Sequence, residues 1–131
     1  MTLAINIAGI VRFCVSLRLF VSIENPMRSR IFQLEPYERI RQMTGFQYVE
    51  LHSCMYGMKH PHLDALVQKG FVFLTNCPWL GRLAVKCDKK HAHAPLEGGH
   101  ATRLSAKYPD RLCHKYAGLL NKALKVTRKC R

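Results

Sequence analysis

The sequence runs to 131 residues, one domain's worth, with 21 Lys and Arg against 8 Asp and Glu and a formal charge of +13. At 48% apolar it is not a disordered polar chain. Arg12 and Arg18 break its greasiest stretch, which argues against a transmembrane helix there, and the Met start has no early Lys or Arg of the kind that opens a secretory signal.

Residues 3–17 predict an apolar helix, although Ile5, Ile7, Ile10, Val11 and Val15 are β-branched. Two Arg and no acid in residues 1–23 leave a mitochondrial presequence open. Residues 17–23 predict a buried strand that ends in a Glu24-Asn25-Pro26 turn, because Pro26 disfavours helix at Asn25. Ser29 is placed to cap a helix carrying Ile31, Phe32, Leu34, Tyr37, Ile40 and Met43. Pro36 splits or kinks it and Gly45 ends it. Residues 46–52 and 71–75 predict two further strands, and Pro78 opens a short helix through Leu83 and Ala84. Residues 86–100 have no periodicity and predict a polar loop. Pro109 begins the clearest helix, with Leu112, Tyr116, Leu119, Leu120, Ala123 and Leu124 on one side.

This order predicts an α/β fold: a partial, mostly parallel sheet of about three strands with flanking helices. Three strands are fewer than a nucleotide-binding sheet usually has. The expected division is an α/β half domain over 1–85, then a basic Cys/His loop and amphipathic helix over 86–131.

The charge is unevenly placed. Residues 1–66 hold 7 basic and 5 acidic side chains, and residues 67–131 hold 14 and 3. On the last helix Arg111, Lys115, Lys122, Lys125 and Lys129 recur opposite the apolar side, with Arg128 and Arg131 beyond. Such a stripe can track a phosphate backbone, although any amphipathic helix has a polar solvent face. A membrane-surface role is the rival, but the apolar side suits a core.

Cysteine occurs six times, at 14, 54, 77, 87, 113 and 130. A secreted disulfide scaffold is shorter and denser in Cys, so reduced thiols in an intracellular compartment, nucleus or cytoplasm, are expected. Cys87, His91 and His93 form a C-x3-H-x-H group of the donor types zinc takes. A fourth ligand is sought among Cys77, His100 and Cys113. The alternative is a solvated loop in a chain already rich in both residues. His52 and Cys54, two apart on one predicted strand, offer a remote thiol–imidazole pair. Glu24 and Asn25, at the expected carboxyl end of a strand, are candidate catalytic residues.

Five segments, FVSIENPMRS, ELHSCMYGM, FVFLTNCPWL, KCDKKHAHAPL and YPDRLC, occur in order over roughly residues 19–117. Together they resemble the C-terminal half of phage- and retroelement-associated proteins related to 5-cytosine DNA methyltransferases. The resemblance implies part of a Rossmann-like methyltransferase fold. It also implies that Glu24 contacts the pairing edge of an extruded cytosine, with Asn25 holding the turn and Tyr56-Gly57 preceding a strand. Of the family's basic stretch before that strand only Lys69 is retained, and residues 59–68 diverge. There is no glycine-rich loop for S-adenosylmethionine, and no Pro-Cys dipeptide to supply the nucleophile.

The expectation is therefore a nucleic-acid-associated fragment, catalytically inactive alone. Lys69, Arg111, Lys115, Lys122 and Lys125 meet the polyanion, DNA ahead of RNA, with no membrane partner. Zinc is the candidate cofactor and S-adenosylmethionine is not expected. A second chain supplying the missing half, a remnant reading frame without molecular function, and a zinc-stabilised interaction module are the alternatives.

Overall fold

The computed structural model describes residues 2–129. Its frame is a sheet of β1 (Ser22–Pro26), β2 (Gln47–His52) and β3 (Gly70–Thr75), in spatial order β1-β3-β2. The central β3 is antiparallel to both neighbours: Phe73 lies opposite Glu24 on one side and Val49 on the other. The expected mostly parallel, Rossmann-like sheet is thus corrected to an antiparallel one. The connections explain the difference. β1 and β2 do point the same way, and the chain crosses between them through a 3-10 turn (Arg30–Gln33) and α2 (Glu35–Arg41). That crossover is what a parallel pair requires. β3 then inserts between them in the opposite sense, a split βαβ arrangement.

β3 reads as an unbroken apolar run because both of its faces are covered. On one face Phe71 and Phe73 pack with Val49 and Leu51 of β2, Leu80 and Leu83, and Leu112 and Leu119 of α4 (Asp110–Lys129). On the other, Leu74 meets Tyr37 and Ile40 of α2 and Ala8 and Val11 of α1 (Thr2–Ser16). The last helix thus shares its core with the sheet. α1 buries little else, and its Leu3, Ile10 and Phe13 are exposed. Among the described residues no helix is long and apolar enough to cross a membrane.

Several local expectations shift. The first strand starts at Ser22, so Glu24-Asn25-Pro26 is strand rather than a turn after one. Pro26 is tolerated because β1 is an edge strand. Pro36 sits in the first turn of α2, and the Ser29 hydroxyl accepts the Ile31 N–H at 3.3 Å. A short α3 (Gly99–Leu104) follows the polar loop. On α4 the buried side is narrower than its pattern suggests: Leu112 and Leu119 are buried, while Leu120 and Leu124 are exposed.

Candidate metal centre

The end of β2 and the segment after residue 83 run side by side. Leu51 bridges Val85 in parallel, and the His52 N–H donates to the Val85 carbonyl at 2.9 Å. A few residues further along each segment come Cys54 and Cys87, which meet although all of β3 separates them in sequence. A second anchor comes from the loop after Met58. Leu66 bridges His93, and the Ala94 N–H donates to the Leu66 carbonyl at 2.8 Å.

One donor atom from each of Cys54, Cys87, His91 and His93 lies within 4.8 Å of all the others. Cys87 Sγ is 3.6 Å from His91 Nε2 and 3.5 Å from His93 Nε2. These four side chains could hold a metal ion. The expected trio Cys87, His91 and His93 is brought together, and its fourth member is Cys54. None of the three residues sought for that place comes near. Cys77 is buried with its thiol 3.7 Å from the Val21 carbonyl, His100 stacks on His62 at 5.5 Å, and Cys113 is exposed on α4.

The backbone and neighbouring polar groups fix these donors. Lys89 adopts a left-handed φ of 59°, turning the chain so that its N–H donates to Cys87 Sγ at 3.3 Å. Asp88 Oδ1 accepts the Lys90 N–H at 3.0 Å and lies 3.3 Å from His91 Nδ1. A carboxylate on the far nitrogen is what orients a metal-binding imidazole. The Cys87 N–H donates to His52 Nδ1 at 3.0 Å, and the Gln68 amide nitrogen approaches the same atom at 3.0 Å. The Cys54 thiol is pushed up to about 11, first by burial and then by hydrogen bonding and charge repulsion from Cys87. A cation among the donors reverses that pressure, since a coordinating thiol gives up its proton.

The same facts set aside the His52–Cys54 pair. Cys54 has left the strand for a 3-10 turn (Ser53–Tyr56), the imidazole Nδ1 is committed to Cys87, and a raised thiol pKa is the opposite of an activated nucleophile. Glu24 and Asn25, as strand neighbours, point to opposite faces and do not form one site. An antiparallel sheet also has no common carboxyl edge at which a ligand would collect. The Glu24 carboxylate instead accepts a hydrogen bond from the Tyr108 hydroxyl beside a cavity of about 350 Å³ lined by Ser22, Phe73, Leu112 and Tyr116. Burial, then the Glu24 hydrogen bond and charge, push the Tyr108 phenol up to about 12.

Of the expected polyanion contacts, Arg111, Lys115, Lys122 and Lys125 are exposed on α4. Lys115 Nζ lies 5.6 Å over the Tyr56 ring. Arg111 lies against Gly57, which places both cations on the turn that carries Cys54. Lys69, on the strand side of that turn through its backbone bonds to Ser53, holds its ammonium 5.3 Å over the Phe71 ring. Arg131 and the side chains of Arg128 and Lys129 lie outside the described residues. Comparison with known proteins finds no matching family, no matching curated protein and no matching solved structure.

Proposed function

We propose that the chain is a zinc-stapled module that associates with nucleic acid through the basic surface around its metal loop. The observation that carries the reading is the donor set. A tetrahedral zinc with Zn–S near 2.3 Å and Zn–N near 2.0–2.1 Å has an S···N edge of about 3.6 Å. The Cys87-to-His91 and Cys87-to-His93 separations of 3.6 and 3.5 Å fit that edge. Two thiols with two imidazoles favour zinc over hard cations, which take oxygen. Bound there, the ion would order the loop and hold two sulfurs as thiolates.

The nucleic-acid half of the reading is supported by what surrounds that loop. Lys86, Lys89 and Lys90 are exposed between and beside the ligands, and the four α4 cations are exposed as well. None of these seven forms an ion pair among the described residues.

Metal analysis and a salt titration test the two halves separately. Protein purified without chelator should carry close to one zinc per chain, and Cys87→Ser should carry none. Fluorescence anisotropy with duplex DNA should show binding that weakens as salt rises. Four phosphate contacts correspond to a log–log slope of roughly −3 to −4. Gln at positions 111, 115, 122 and 125 together should flatten that slope, with the metal content unchanged. A metal-free protein overturns the zinc assignment. Absence of binding at low salt, or a slope indifferent to the four substitutions, overturns the nucleic-acid assignment.

A further inference from the structure

Beside the metal loop lies a cleft of about 480 Å³ that the preceding reading does not use. Its polar lining is Arg28, His52, Gln68 and Lys69, over a backbone floor at residues 26–27 and Gly70. Among the described residues no carboxylate lines it. Two of the backbone N–H groups bounding it are already satisfied: the Met27 N–H donates to the Gly70 carbonyl at 2.9 Å, and the Lys69 N–H to the Ser53 hydroxyl at 2.8 Å. Its charged donors are side chains. Three of the four carry only donors or can present one: a guanidinium, an ammonium and a carboxamide.

His52 supplies a fourth donor, and the metal loop dictates which nitrogen it is. A backbone N–H can only donate, so the Cys87 N–H bonded to Nδ1 leaves that nitrogen unprotonated. The neutral ring then carries its hydrogen on Nε2, which has no partner among the described residues. Gly70 permits the cleft's shape, because a Cβ there would sit 2.9 Å from Met27 Cβ.

We infer that this cleft is a phosphate site, with Arg28, Lys69, Gln68 and the His52 Nε2–H donating to the oxygens of a phosphate ester. Donors of positive charge grouped around one cleft, with no acid among the lining residues described, are the chemistry that selects phosphate. A volume of about 480 Å³ exceeds what one phosphate fills and leaves room for the sugar attached to it. The inference rests on the nucleic-acid reading only for the source of the ester, since a free nucleotide presents the same group. It also ties the cleft to the metal, because the ring that donates into it is held by the Cys87 backbone.

The test uses the full, zinc-loaded chain and three probes: inorganic phosphate and adenosine 5′-monophosphate by phosphorus NMR titration, and duplex DNA by anisotropy. Both small probes should bind in the millimolar range, and Arg28→Gln with Lys69→Gln should weaken them at least tenfold. Arg12→Gln, at an exposed position on α1, should leave them unchanged. Retained zinc in the Arg28/Lys69 variant certifies its fold, and Arg28→Gln alone, at an exposed position, provides a second readout. Chelating the metal should also weaken adenosine monophosphate. Small-probe binding that is absent, or equal in the Arg28/Lys69 variant and the parent, overturns the inference even if DNA binds. Small-probe binding that is lost in that variant while DNA never binds upholds the cleft and removes the nucleic-acid reading alone.

Discussion

Cys54 decides the metal centre, and its surroundings make its chemistry conditional. Its thiol is buried beside a second sulfur, so without a cation both groups favour the protonated form. Metal binding must therefore release protons, and acid must release metal. Cys54→Ser should lose the ion, while Cys77→Ser, whose sulfur sits at the Val21 carbonyl, should keep it. Metal content measured by atomic absorption at stepwise lower pH should fall for the parent protein. Retention of a full complement by Cys54→Ser would remove that residue from the site. The sequence disclosed Cys87, His91 and His93 because they sit in one short loop. It concealed Cys54 because the pairing of Leu51 with Val85, which brings the sulfurs together, involves a segment too short to show a strand period.

The elements were easier to locate than to orient. Residues 71–75 are visibly a buried strand, yet an apolar run looks the same whether its neighbours are parallel or antiparallel. The β1-to-β2 crossover over α2 was also legible, through Ser29 and Pro36, but nothing in it announces that β3 enters between its ends. α4 shows a different limit. Its spacing marks a wide apolar side, while the shared core, with the turns Pro78–Leu83 and Ser53–Tyr56, covers only its N-terminal half, and contacts there select Leu112 and Leu119. Leu112, 3% exposed, should cost about 2–5 kcal/mol on substitution by Ala. Leu124, 51% exposed, should stay within about 0.5 kcal/mol. Urea unfolding of the two variants checks the ranking, and equal losses would mean that α4 packs differently. For the same reason Leu120, 37% exposed, is a poorer place than Leu112 to break the fold with a charge.

At the scale of the whole molecule, all five tyrosines bear on its alkaline limit. Tyr37, Tyr48, Tyr56, Tyr108 and Tyr116 each hold their phenol above the ordinary value of about 10, with burial the first cause in every case. Raised pKa values in the folded state mean that their contribution to stability is complete below pH 10. It drains away as pH climbs through the folded values, to about 12 for Tyr108. Phenolate absorbance and circular dichroism followed together should therefore show ionisation above pH 10, accompanied by loss of structure. Five phenols titrating near 10 in a chain that remains folded would contradict the packing around them.

Cys54 lies just after β2 and Cys87 lies beyond β3, so an ion joining them would close a ring of chain around the middle strand of the sheet. Such a ring acts on the unfolded chain as much as on the folded one, by denying it the excursions in which the two ends part. A covalent link closing a ring of this length, roughly 33 residues, would be worth about 4 kcal/mol of configurational entropy, and a reversible metal link approaches that only while it stays bound. An ion held there would confer on a thiol-bearing chain the topological restraint that secreted proteins of this size draw from a disulfide, in a form that a chelator can withdraw.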